Sequence, residues 1–79
     1  MKIEILGTGC DKCKKLKDAT MEALSKLDGF HEVVSVDDIL EILEYEVLQT
    51  PALVVDGKVK SFGKVLSSSE ILKILREDE

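Results

Sequence analysis

Tryptophan is absent from this chain, proline and histidine occur once each, and the only cysteines are Cys10 and Cys13. Two cysteines three positions apart close too small a loop to staple a fold, which excludes a scaffold built on disulfides. One histidine, His31, and no second cysteine pair leave a four-ligand zinc site short of partners unless a dimer or carboxylates supply them. No apolar run approaches the ~20 residues that a bilayer span needs. Aromatic residues make up only 4% and the net charge is -5, so there is neither a stacking platform nor a basic stripe. Nucleic acid and anionic membrane surfaces are therefore poor partners. The start, Met1-Lys2-Ile3-Glu4-Ile5-Leu6, carries an acid inside its short apolar run and has no cleavage region, so no export signal is read and a cytoplasmic location is expected.

What is present is the composition of a folded domain, with 44% hydrophobic and 34% charged residues. Neither a repeat nor a linker divides residues 1–79, which are read as a single domain and a monomer. A chain of this size buries roughly 60% of its unfolded surface, so its core has to be compact.

Residues 2–6 alternate charged and apolar side chains and stop at Gly7-Thr8-Gly9, the pattern of a short strand and a loop. Cys13, Leu16, Ala19, Thr20, Ala23, Leu24 and Leu27 then recur at helical steps with lysines and acids between them, predicting an amphipathic helix over 11–27 that ends near Gly29. Val33, Val34 and Val36 mark a second strand within 31–36, and a strand–helix–strand unit implies parallel pairing. Asp37 or Asp38 is a cap for a helix reaching about residue 47, with Ile39, Leu40, Ile42, Leu43 and Val47 as its apolar face. Continuously apolar Ala52–Val55 reads as a central strand, and Asp56-Gly57 as a hairpin turn into 58–62. Ser67 and Glu70 form a capping box before a last helix whose core residues are Ile71, Leu72, Ile74 and Leu75. The fold class is α/β: β-α-β-α-β-β-α, with one mixed four-stranded sheet and helices on both faces.

The cysteines sit where the first strand gives way to the first helix. Structural disulfides are rare in the cytosol, so this spacing points to reversible thiol–disulfide exchange or to metal. Cys13 shares the sheet-facing stripe, so its thiol is expected to be buried. Cys10 stands at the helix start, where unpaired N–H groups and the positive dipole end favour a thiolate. In that cycle Cys10 attacks a partner disulfide and Cys13 resolves the mixed disulfide. The alternatives are a metal-binding module, since two thiolates also suit soft Cu(I), and a redox-sensing module on the same fold.

Cys10-x-x-Cys13 after the first strand of a βαβ unit, Thr50-Pro51 opening a strand, and an Asp56-Gly57 hairpin before a terminal helix together resemble the thioredoxin superfamily, over nearly the whole chain. In length and in its Gly-Thr-Gly-Cys and Thr-Pro-Ala segments the chain is similar to the small redox-active disulfide proteins of archaea and bacteria, which are minimal thioredoxin- or glutaredoxin-like domains. The resemblance implies a protein disulfide oxidoreductase with no cofactor beyond the Cys10–Cys13 disulfide. Its substrates would be protein disulfides, and its electron donor a thioredoxin-reductase-type flavoprotein. It also implies a cis bond at Thr50-Pro51, with Thr50 and Pro51 contacting extended substrate, and room near the site at Gly63. Glu4, six residues before Cys10, matches the acid that accepts the proton of the second cysteine, although a solvated strand acid is the plainer reading. Gly9 before Cys10 and Asp11-Lys12 between the cysteines depart from the thioredoxin pattern, and the tyrosine-rich motif of glutaredoxins is missing. These departures leave the reductant and the redox poise open.

Overall fold

A computed structural model describes residues 1–9 and 11–77. The elements follow the order β1 (Lys2–Leu6), α1 (Asp11–Leu24), β2 (Glu32–Val36), α2 (Ile39–Glu44), β3 (Ala52–Val55), β4 (Lys58–Phe62) and α3 (Ser68–Glu77). The four strands form one sheet in the order β2-β1-β3-β4. β1 pairs parallel with β2, from Lys2 opposite Glu32 to Leu6 opposite Val36. It pairs antiparallel with β3, where Glu4 faces Val54 and Leu6 faces Ala52. The β3–β4 ladder is antiparallel and shifts register between Leu53 and Val54, which face Ser61 and Val59 respectively, leaving Lys60 as the extra residue of a bulge.

The period-two alternation of the strands assigns two cores. Ile3, Ile5, Leu53 and Val55 point to one face, where Leu16 and Ala23 of α1 and Ile71 and Leu75 of α3 close over them. Leu6, Val36, Ala52 and Val54 point to the other, under Ile42 of α2 and Val47. β1 and β3 are central and covered on both sides, and all four residues of β3 are buried. That is why β3 reads as an unbroken apolar run rather than an alternating one.

The punctuation is local. Asp56 and Gly57 both have positive φ, 49° and 83°, as a tight two-residue hairpin demands. The Asp56 carboxylate also accepts the Lys2 amide at 2.7 Å, latching the turn to β1. Asp38 caps α2 by accepting from the Leu40 amide at 2.9 Å. The Ser67 hydroxyl accepts from the Glu70 amide, and the Glu70 carboxylate accepts in turn from the Ser67 amide, both at 3.2 Å.

Two helices are shorter than their apolar patterns suggest. α1 ends at Leu24, not Leu27, because the next turn tightens: the amides of Lys26 and Leu27 bond back three residues to Ala23 and Leu24, and the Ser25 hydroxyl donates to the Glu22 carbonyl. Leu27 still packs on the core from outside the helix. α2 stops at Glu44, with Tyr45 as its C-cap and Glu46 in the left-handed region at φ 60°. A helix of six residues lays only one narrow stripe on the sheet. Ile42 alone in it is buried, whereas Ile39, Leu40 and Leu43, expected on the core face, are more than half exposed. In α3, Ile71 and Leu75 are buried, while Leu72 and Ile74 pack against the core partly covered.

Candidate active site

The carboxyl end of β1 runs into Gly7, Thr8 and Gly9 before α1 begins at Asp11. The Gly7 amide still donates to the Val36 carbonyl at 2.9 Å, so the ladder holds the chain one residue past the strand. Gly9 then turns with φ 85°, a conformation that glycine adopts without steric cost.

Cys13 lies in the first turn of α1, buried at 7% exposure on the stripe it shares with Leu16, Thr20 and Ala23. Its sulfur rests directly on Gly7. A methyl group on Gly7 would collide with Cys13 Sγ, would stand 3.3 Å from Cys13 Cβ, and would lie 3.9 Å from Thr50 Cβ. Gly7 is thus the floor between the first turn of α1 and the segment that enters β3. There Thr50 is exposed, Pro51 is buried, and the peptide bond between them is cis. The Gly63 amide donates to the Pro51 carbonyl at 2.9 Å. With φ 71°, and with the Gln49 side chain where its Cβ would stand, Gly63 keeps the end of β4 against this segment.

A crevice of about 220 Å³ opens beside Cys13, between α1 and the end of β2. Gly7 and Ile5 line its base, Lys14 and Lys17 one wall, and Ser35 and Asp37 the other.

Cys13 and Thr50, two of the residues singled out from the sequence, therefore meet at Gly7 with Pro51 next in the chain, and Cys10 lies outside the described residues. Glu4 goes elsewhere. Alternation turns it to the α2 face of the sheet, opposite the face on which Ile5 and α1 meet, and there the Tyr45 hydroxyl donates to Glu4 Oε2 at 2.8 Å. This bond raises the pKa of the Tyr45 phenol above 10.0, with burial and the charges of Glu4, Glu41 and Glu44 adding to the effect. His31 sits at the start of β2 with Nε2 at 3.0 Å from the Asp28 carbonyl. Among the described residues no group of three or more histidine, cysteine, aspartate or glutamate side chains is arranged to hold a metal ion. Nor is any helix among them long and apolar enough to cross a membrane.

Residues 1–76 match the family model for the thioredoxin domain. This chain belongs to the thioredoxin family. Among its curated relatives, a thioredoxin of Methanothermobacter thermautotrophicus is 41% identical over 75 residues, covering 95% of this chain and 97% of the relative. A thioredoxin of Methanocaldococcus jannaschii is 36% identical over 74 residues, covering 94% of this chain and 85% of that one. The sheet order and the three helices are those of a thioredoxin-like fold, and the chain is a thioredoxin-like redox protein.

Two features of this thioredoxin-like site are not evident in the sequence. Gly7 reads there as an ordinary loop glycine; its role depends on the approach of Cys13, six residues later and across a turn. Asp37 and Asp38 both read as caps for α2; Asp38 takes that place and leaves Asp37 on the crevice wall.

Proposed function

We propose that the protein is a thiol–disulfide oxidoreductase acting on protein disulfides, with Cys10 the attacking thiol, Cys13 the resolving thiol, and the Thr50–Pro51 backbone the docking edge for extended substrate. The observation that carries this reading is the seat of Cys13: a thiol in the first turn of a helix, packed on a glycine floor that it shares with Thr50. Burial suits a resolving cysteine, since it guards the thiol from outside disulfides. Cys10 thiolate attacks one sulfur of the substrate disulfide and the other leaves as a thiolate. Cys13 thiolate then attacks Cys10 Sγ, the protein disulfide forms, and the substrate departs carrying both electrons. A thioredoxin-reductase-type flavoprotein returns those electrons to Cys10–Cys13.

Trapping tests the assignment. Cys13→Ser should accumulate a mixed disulfide with a protein substrate such as insulin, and Cys10→Ser should form none; the readout is a mass shift on non-reducing gels that thiols reverse. Equal behaviour of the two variants overturns the division of roles. A wild-type protein inert to insulin disulfides, or purified with stoichiometric metal on its thiols, overturns the oxidoreductase reading.

A further inference from the structure

The charges in the crevice beside Cys13 have no part in the cycle above. Cys13 has to lose a proton before it can attack, and burial holds a thiol in its neutral form, so the resolving step needs an acceptor close by. Glu4, the acid suggested by its place in the sequence, is on the opposite face of the sheet with Oε2 taken by Tyr45. Among the described residues the charged groups lining the crevice are Lys14 and Lys17 from α1 and Asp37 from the loop after β2; Ile5, Gly7, Gly9 and Ser35 add no charge. At ~30 Å³ per molecule, a space of about 220 Å³ has room for several waters.

We propose that Asp37, rather than Glu4, receives the proton of Cys13, through water in this crevice, while Lys14 and Lys17 offset the negative charge that the step leaves beside the sulfur. The inference rests on the exchange cycle proposed above. In the step itself, the Cys13 S–H bond breaks and its proton passes by water to the Asp37 carboxylate. The sulfur's electron pair forms the bond to Cys10 Sγ, the Cys10–substrate S–S bond breaks, and the substrate leaves as a thiolate. Asp37 later returns its proton to solvent.

Stopped-flow reaction of the reduced protein with dithiobis(nitrobenzoate) separates the two thiols, since each releases one coloured thiolate. The first phase scales with reagent concentration and reports attack by Cys10; the second does not scale with it and reports Cys13. With Asp37 as acceptor, the second-phase rate of the wild type is flat through neutral pH. In Asp37→Asn the ratio of second to first rate falls at least tenfold near neutrality. The second rate then climbs with pH, following the thiolate fraction of Cys13. Asp37→Glu restores most of the ratio, and Glu4→Gln keeps it within about twofold. A ratio unchanged in Asp37→Asn, or one lost in Glu4→Gln, overturns the proposal. Release of one coloured thiolate rather than two per wild-type protein overturns the exchange reading, and this assignment with it.

Discussion

Alanine in place of Gly7 puts a methyl group where Cys13 Sγ now rests. Neither side can give way easily: Gly7 is held by the hydrogen bond that its amide donates to the Val36 carbonyl, and Cys13 is fixed by the stripe that seats α1 on the sheet. Overpacking of a closed site costs about 1–3 kcal/mol. For a domain of this size ~2 kcal/mol lowers Tm by roughly 8–16 °C. Far-UV circular dichroism of the reduced protein measures the shift, and a double-mutant cycle with Cys13→Ala locates its cause. Removing the sulfur removes the worst collision, although the Cys13 Cβ at 3.3 Å still crowds the new methyl. Gly7→Ala should therefore cost less than about 1 kcal/mol in the Cys13→Ala background, a coupling of at least ~1 kcal/mol between the two positions. Equal costs in both backgrounds would refute the contact, and an unshifted Tm in the single variant would refute the rigidity assigned to this floor.

Two further outcomes follow from bonds outside the site. Tyr45→Phe deletes the donor to Glu4 and should lower stability by about 1–2 kcal/mol in urea unfolding at neutral pH. Because folding raises the Tyr45 pKa above 10.0, its contribution is complete below that pH and is lost as pH rises through the folded value; the alkaline fall in stability should be shallower in the variant. Ser67→Ala removes one half of the capping box and should cost about 1 kcal/mol, with Glu70→Ala in the same background costing less than it does alone, as chemical denaturation can check.

The elements that announce themselves in this sequence are those with local causes. Alternation over Lys2–Leu6, the unbroken apolar run of β3, the Asp56-Gly57 turn and the Ser67–Glu70 box each need only a few neighbouring residues, and each stands where its pattern puts it. Helix lengths are less legible because packing trims them. Leu27 and Val47 continue the apolar spacing of α1 and α2 yet reach the core from turns, so spacing alone overextends both helices. The same limit explains Ile39, Leu40 and Leu43, whose apolar character does not reveal that six residues of helix can cover only one stripe. At the site, Cys13 was legible as a buried thiol from helical phase. The partners of Glu4 and Cys13 were not, since Tyr45 lies 41 positions from Glu4 and meets it only once α2 crosses the sheet.

The floor of the site belongs to a strand paired on both sides. β1 exchanges backbone bonds with β2 and with β3 along its whole length, and Gly7 continues the first of these ladders. Amides held in this way trade hydrogen with solvent mainly when the whole domain opens, whereas bonds at the margins of a fold open locally and often. The surface on which Cys13 rests should therefore lie among the slowest-exchanging amides of the molecule. Local opening beside the thiol therefore has to come from the Gln49–Pro51 segment, moving over a base that stays still.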